Sequence, residues 1–193
     1  TLDSMKYNIP AGSSYTRTEM IKRILSFQLP DDGFNLRFAQ GSTADPDITA
    51  MAIQALAPYY RNATFNVKDP VDKALDCLSK LQLDTGDFRS WGTRNSESVS
   101  QIIVSLCSIG VDPQNDSRFI KNGINLLDAL FYYQQEDGGF AHSYESDPGN
   151  PSAIPGESNS IATDQALLAL VAVWRQAQGM SPLYDFRPGV RCV

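Results

Sequence analysis

Three short segments of the chain share one pattern: Gln28-Leu-Pro-Asp-Asp-Gly-Phe34, Gln82-Leu-Asp-Thr-Gly-Asp-Phe88 and Gln135-Glu-Asp-Gly-Gly-Phe140. The phenylalanines are 54 and 52 positions apart, and a fixed period near 50 residues is typical of a repeat architecture. Glutamine can hydrogen-bond the carbonyls at a helix end, glycine supplies a positive φ where the chain reverses, and phenylalanine can pack between successive units. We interpret each segment as the turn between two helices of one repeat.

Apolar residues at helical spacing lie before and after each turn, so each unit is predicted to be helix, turn, helix. In unit one, Thr16 and Glu19 form a capping box, which predicts a first helix over about 16–29. Asp45-Pro46 opens the second helix, and Pro58 should end it. The pattern predicts an N-terminal extension at 1–15, a repeat domain at 16–181 with units at about 16–62, 69–110 and 116–179, and a tail at 182–193.

The other helices have start and stop signals of the same kind. Asp69-Pro70 and Ser96-Glu97 open the two helices of unit two, and Gly110 ends the second of them. In unit three, the first helix is broken near Gly123 and the second ends at Gly179.

The second helices of the three units align without gaps as ITAMAIQAL (48–56), SVSQIIVSL (98–106) and ATDQALLAL (162–170). They are small and apolar on more than one side, which indicates a buried inner layer. The first helices carry Lys22, Lys73 and Lys80, which favours an outer layer. Two concentric layers of helices predict an all-α fold, a partial α/α toroid of about three helical hairpins.

Composition excludes several classes of function. The 193 residues include 22 acids against 16 Lys and Arg, a net charge of −6, which argues against nucleic acid as a partner. The longest apolar run is nine residues at 166–174, so no membrane insertion is expected. Three cysteines without a C-x-x-C pattern argue against a disulfide framework and a structural zinc site. Cys77 and Cys107 are expected to be buried core thiols, and Cys192 lies in the tail.

The Gln-to-Phe turns resemble the Gln-Trp repeats of terpenoid cyclases, with Phe in place of Trp. The three-unit pattern resembles the prenyltransferase and squalene-cyclase superfamily of α/α toroids, which includes cobalamin carriers of the intrinsic-factor type. Runs such as 45–60, 95–101 and 121–123 are similar to those of prenyltransferase-like cell-surface proteins of Gram-positive bacteria. The resemblance covers about 15–185 and implies a secreted or cell-surface protein, with a cobalamin-like or isoprenoid ligand.

The run Asp45-Pro-Asp-Ile-Thr-Ala50 resembles the Asp-x-Asp-Asp-Thr-Ala motif of class II terpene cyclases, in which the middle aspartic acid protonates the substrate. By that resemblance Asp47 would be the acid, with Asp45 beside it. Ile48 replaces the third aspartate of the motif. The alternative is structural, because Asp45 can cap the helix and Asp47 can interact with its positive end.

The single histidine, His142, follows the third turn. A lone loop histidine is expected to be solvated, and the functional alternative is a ligand or metal contact at the mouth of the toroid. No cysteine lies near His142 in sequence, so the zinc site of protein prenyltransferases is not recognisable. We predict no bound metal and no cofactor.

Three loops are expected to lie at one end of the helices, at 35–44, 89–94 and 141–159, and the last is long enough to be functional. We predict that they form a rim that binds a small-molecule or protein ligand. The candidate contact residues are Phe38, Trp91, Asn95, Glu97, His142, Tyr144 and Asn159.

Six helices make only part of a toroid, and an open helical edge exposes apolar surface that needs a cap. We therefore expect an upstream toroid half or a partner chain to cover the edges. The leading functional interpretation is a non-catalytic binding module. The alternatives are a class II terpene cyclase with Asp47 as its acid and a purely structural repeat.

Overall fold

The computed structural model describes residues 2–37, 39 and 41–187. The only strands there are the two-residue β1 (Arg89–Ser90) and β2 (Thr93–Arg94), which pair antiparallel. This confirms the expected all-α class. The helices are α1 (Arg17–Leu25), α2 (Pro46–Leu56), α3 (Lys68–Leu81), α4 (Ser96–Ile109), α5 (Leu126–Phe131) and α6 (Ser160–Ala177), with 3₁₀ turns at Ala57–Tyr59, Ala63–Phe65 and Ser117–Phe119.

The helices form the two predicted layers. In the inner layer α4 packs between α2 and α6, and in the outer layer α3 packs on α2 and α5 on α4. All of α4 is buried except Glu97, Gln101 and Ser108. These three residues are four and seven positions apart, so they form one strip along the helix. These residues are the part of the α4 surface that stays partly accessible between α2 and α6, and we call them the polar strip.

The three turns have the same geometry, which confirms the repeat. The amide N–H of Leu29, Leu83 and Gln135 donates to the carbonyl four residues later, at 2.9, 2.9 and 2.8 Å. The phenylalanines that end the turns are buried, with 4%, 0% and 4% of Phe34, Phe88 and Phe140 exposed. Fully burying a side chain of this size stabilises the fold by about 1.5–3 kcal/mol.

Two details of the predicted turns were wrong. When the three turns are aligned by the hydrogen bond that they share, Gln28 and Gln82 correspond to Gln134, which is one residue before the predicted Gln135. The positive φ falls on Gly86 and Gly138 in units two and three, but on Asp32 (φ 69°) in unit one. Gly33 is needed there for a different reason, because an added Cβ would lie 2.3 Å from the Cβ of Ala44.

The turn glutamines connect successive units. Nε2 of Gln28 donates to the carbonyls of Asp32 in its own turn and Pro70 in α3, both at 2.8 Å. Nε2 of Gln82 donates in the same way to Gly86 at 2.8 Å and Phe119 at 3.1 Å. One side chain therefore stabilises the turn and joins it to the next unit.

Helix boundaries differ from expectation in the outer layer. The capping box of Thr16 and Glu19 is present, but α1 ends at Leu25 because the chain then enters the turn. Helix α3 begins at Lys68, one residue before the predicted Asp69-Pro70 start. The first helix of unit three is broken, as expected, and leaves the six-residue α5.

The terminal segments pack against the repeat and against each other. Asp3 pairs with Arg17 at 2.7 Å, and the amide of Phe186 donates to the carbonyl of Ser4 at 2.8 Å. Cys77 and Cys107 are buried thiols, as predicted. Cys192 lies outside the described residues.

Candidate functional site

The three predicted rim loops lie together at the N-terminal ends of the inner helices. Ser90 Oγ donates to Asp45 Oδ2 at 2.7 Å, which joins the hairpin to the first loop. Arg89 makes two hydrogen bonds to Glu145, at 2.8 and 3.0 Å, which join the hairpin to the third loop. The three units therefore bring their loops to one end of the molecule, and we call this surface the rim.

Asp45 and Asp47 have different environments at the start of α2. Asp45 is buried, and its Oδ1 caps the helix by accepting the amide N–H of Ile48 at 3.1 Å. Burial raises the pKa of Asp47 to about 6. Hydrogen bonds from the Ser98 and Ser90 hydroxyls lower this pKa, whereas the negative charges of Asp45 and Glu97 raise it further. Oδ1 of Asp47 is buried without a hydrogen-bond partner. Asp47 therefore takes up a proton at a higher pH than an ordinary aspartate does.

His142 is not solvated, so that expectation was wrong. Its side chain is 10% exposed and lies between two carboxylates. Nδ1 faces both oxygens of Glu97, at 2.8 and 2.9 Å, and Nε2 faces Asp147 Oδ2 at 3.0 Å. Burial lowers the pKa of His142, but the hydrogen bonds and charges of the two carboxylates outweigh it, so the pKa is raised above its usual value. The imidazolium can then donate to both carboxylates.

The contact of His142 also joins the rim to the inner layer. Glu97 belongs to α4, whereas Asp147 belongs to the same loop as His142. The amide of Ser96 donates to the carbonyl of His142 at 3.0 Å, and Ser96 Oγ donates to the carbonyl of Ala141 at 2.7 Å. The long loop is therefore held at the first turn of α4.

Two predicted contact residues are exposed aromatics. Trp91 is 59% exposed at the hairpin tip, where it adopts φ 50°. The guanidinium of Arg37 lies 5.4 Å from its ring centroid. Tyr144 is 45% exposed and contacts the rings of Tyr132 and Tyr133, at centroid distances of 5.0 and 5.9 Å. Both side chains can contact a ligand at the rim.

Two other predicted contact residues cap helices. Oδ1 of Asn95 accepts the amide of Ser98 at 2.8 Å at the start of α4. Oδ1 of Asn159 accepts the amides of Ile161 and Ala162 at the start of α6. Their proposed ligand contacts stay predictions, and Phe38 lies outside the described residues.

A hydrogen-bonded row of glutamines crosses the inner layer, and the sequence analysis missed it. Nε2 of Gln54 in α2 donates to Gln101 in α4, to the carbonyl at 3.1 Å and Oε1 at 2.9 Å. Nε2 of Gln101 donates to Oε1 of Gln165 in α6 at 2.9 Å. We call these three residues the amide ladder. The available signal was glutamine within helices that are otherwise small and apolar, at the same aligned position in units two and three.

A cavity of about 240 Å³ lies at the other end of the inner helices. Its wall includes Gln54 of the ladder, Ser108 of the polar strip and the residues that follow α2 and α4. The two terminal segments complete the wall. Its charged residues are Asp3, Arg61, Asp185 and Arg187, and Arg187 is paired with Asp185.

Within residues 2–37, 39 and 41–187, no three acidic, cysteine or histidine side chains are arranged to hold a metal ion. None of the helices described there has the length and apolar character needed to cross a membrane.

Comparison with known proteins agrees with the fold. The family described as squalene-hopene cyclase C-terminal domain matches residues 28–181, which include all three turns and all three inner helices. No curated protein matches the chain. The match covers most of the sequence, and the chain belongs to the squalene-hopene cyclase C-terminal domain family, within the prenyltransferase and terpenoid-cyclase superfamily of helical repeats.

Proposed function

We propose that this chain is a non-catalytic binding module whose inner face holds a polar ligand. The observation that carries the proposal is the accessible surface of α4, which consists of Glu97, Gln101 and Ser108. A buried polar group that loses water without a partner costs free energy. A ligand on this strip must therefore replace water with hydrogen bonds of its own.

The resemblance suggested either a cobalamin-like or an isoprenoid ligand. An isoprenoid chain offers no hydrogen bonds to the amide ladder, whereas a cobalamin-like molecule carries several amide groups. The polar strip therefore favours the more polar class. A secreted or cell-surface location stays a prediction from the resemblance.

Side-chain NMR signals can test the binding proposal. The amide NH₂ signals of Gln54, Gln101 and Gln165 in ¹⁵N-labelled protein would be assigned with single Gln→Met variants. We expect cobinamide, or members of a set of water-soluble amides, sugars and zwitterions, to shift these signals, and farnesol to leave them unchanged. A set of polar probes that shifts none of the three signals would contradict the proposal.

A class II terpene cyclase is the second candidate function, and the environment of Asp47 favours it. Its raised pKa of about 6 and its buried, unpartnered Oδ1 suit a proton donor. The polar strip argues against it, since aromatic faces stabilise cations and none lies among the accessible residues of α4.

Incubation with squalene or geranylgeranyl diphosphate, followed by mass spectrometry, separates the two candidates. A cyclic product that wild-type protein forms and Asp47→Asn does not form would overturn the non-catalytic proposal. We expect no cyclic product from either protein.

We also propose that both edges of the repeat are covered by an upstream toroid half or a partner chain. Between α1 and α2 lies an apolar groove of about 360 Å³, lined by residues that include Ile24, Ile48 and Met51. On the opposite edge, Leu167 and Trp174 of α6 are each 57% exposed. Apolar surfaces of this kind are buried inside a longer stack of repeats.

A further inference from the structure

We infer that the two edges of the repeat cover each other in a head-to-tail assembly, in which α6 of one copy of this chain occupies the groove between α1 and α2 of a second copy. The inference rests on the proposal that the edges are covered, and it names a second copy of this chain as the partner. The packing order of the helices, the exposure of equivalent residues and the third turn carry it.

Each inner helix that is followed by another unit packs between the two helices of that unit. Helix α2 contacts α3 and α4, the outer and inner helices of unit two, and α4 contacts α5 and α6 of unit three in the same way. By the same rule, α6 should lie between the outer and inner helices of a next unit. The groove between α1 and α2 has these two walls, and a second copy supplies it.

One stripe of α6 is exposed although its counterparts in α2 and α4 are buried. Leu167 is 57% exposed, whereas the aligned Ile53 and Ile103 are each 0% exposed. Trp174 lies two turns after Leu167 on the same stripe and is also 57% exposed. Helices α2 and α4 each have a following unit, and no further unit follows α6 among the described residues. The exposed stripe is therefore the face that a next unit would cover.

The groove side of α2 shows the same effect at the other edge. Ala55 lines the groove and is exposed, whereas the aligned Ser105 and Ala169 are each 0% exposed. Met51, which also lines the groove, is 53% exposed. Because the inner helices all begin at the rim and align without gaps, Leu167 of one copy would lie at the level of Met51 and Ala55 of the next. Contact there would remove apolar surface from water on both sides.

The turn glutamines give a separate indication of a following unit. Gln28 and Gln82 each donate to a carbonyl of the unit that follows, at Pro70 and Phe119. Gln134 has the equivalent position in the third turn and is exposed. In the head-to-tail assembly, Gln134 donates to the start of unit one in the second copy.

The charges at the edges favour contact between unlike faces. Asp164 is exposed one turn before Leu167 on α6, and Lys22 and Arg23 are exposed on α1. Contact between two α6 faces would bring two Asp164 carboxylates together, whereas contact between α6 and the other edge places opposite charges on the two partners.

Sedimentation velocity over about 5–500 µM protein tests the inference. We expect wild type to associate reversibly, into a ring where the head-to-tail contact closes and into longer assemblies where it does not. Leu167→Glu on the α6 stripe and Met51→Glu in the groove should each weaken association by about a hundredfold, because each buries an unpaired charge. The control Ile154→Glu, at a residue of the long loop that is 57% exposed, should associate as wild type does.

The turn glutamine offers a second variant that spares the apolar surfaces. Gln134→Leu should weaken association by about tenfold, since it removes one hydrogen bond between copies. It should leave the unfolding of the dilute, dissociated protein unchanged. Equal association of Gln134→Leu and wild type would contradict the glutamine contact.

A mixture of the two glutamate variants tests the orientation. Each variant keeps one intact face, so Leu167→Glu and Met51→Glu should stay monomeric alone and form a heterodimer when mixed. Association of Met51→Glu alone would show contact between like faces and would overturn the head-to-tail assembly.

A wild type that stays monomeric over the whole concentration range would show that the partner is not a second copy. Binding of the apolar dye bis-ANS, reduced in both glutamate variants, would then leave the proposal of covered edges standing with another partner. A wild type that neither associates nor binds the dye would overturn both proposals.

Discussion

Replacing His142 with leucine should destabilise the fold strongly and in a pH-dependent way. The imidazole is 10% exposed, and its partners Glu97 and Asp147 are 12% and 15% exposed. Removing it leaves two nearly buried carboxylates without their cationic partner. Breaking a buried ion pair typically costs about 3–5 kcal/mol. Because both carboxylates keep some contact with water, we expect a loss near the lower limit, about 3 kcal/mol at pH 6.

The pH dependence follows from the direction of the pKa shift. The pKa of His142 is raised in the folded protein, so its ionisation stabilises the fold fully below the unfolded value of about 6.5. That contribution is lost as the pH rises through the raised value. The difference between wild type and His142→Leu should therefore be largest near pH 6 and decrease toward alkaline pH.

Urea unfolding followed by circular dichroism at pH 6 and pH 9 measures both effects. In thermal unfolding, the loss corresponds to a decrease of roughly 6–12 °C in Tm for a domain of this size. His142 is the single histidine of the chain, so NMR titration of its ring protons gives its pKa without assignment work. Gln114→Leu on an exposed loop is the control. A loss below about 1 kcal/mol at pH 6, or a measured pKa at or below 6.5, would refute the reasoning.

Three further predictions concern the fold. Asp47→Asn should stabilise the protein by up to about 3 kcal/mol at pH 8 and have little effect at pH 4, because burial raises the pKa from 3.8 to about 6 and so disfavours the ionised form. Urea unfolding at both pH values measures this, and destabilisation at pH 8 would contradict it. Gln28→Leu should cost about 1–2 kcal/mol, since it leaves the carbonyls of Asp32 and Pro70 without their shared donor. The control Gln134→Leu, at an exposed glutamine, should leave the free energy of unfolding almost unchanged. Equal losses of stability in the two variants would argue against Gln28 joining its turn to the next unit. Asp32→Gly should raise stability by about 1 kcal/mol, because it relieves the positive φ that glycine already occupies in the other two units; a lower Tm would show that the Asp32 side chain stabilises the turn.

The fold could be predicted from the sequence because its main determinants are local and repeated. Thr16 and Asp45 are capping residues that predict helix starts. The three copies of the turn, which end in Phe34, Phe88 and Phe140, define the repeat. The first and last residues of α1 and α5 were less predictable than the repeat itself. Those helices end where the chain enters a turn and packs on its neighbours, and neither event follows from local helix propensity.

The site was only partly predictable. The sequence placed the three loops at one rim and singled out Asp47, Glu97 and His142. It could not show that His142 is buried between Glu97 and Asp147, since its partners lie 45 and five positions away. The amide ladder was missed for the same reason, because its bonds join residues 47 and 64 positions apart.

The order of residues by itself determined the helix-turn-helix unit, its threefold recurrence and the division into inner and outer layers, because capping, turn geometry and apolar spacing act over a few neighbouring residues. Only the tertiary structure decided which polar side chains meet. Burial at the start of α2 raised the pKa of Asp47, and the packing of α4 between α2 and α6 left one strip of that helix accessible. Burial and charge pairing depend on distances between repeats, and those distances exist only after the units have packed.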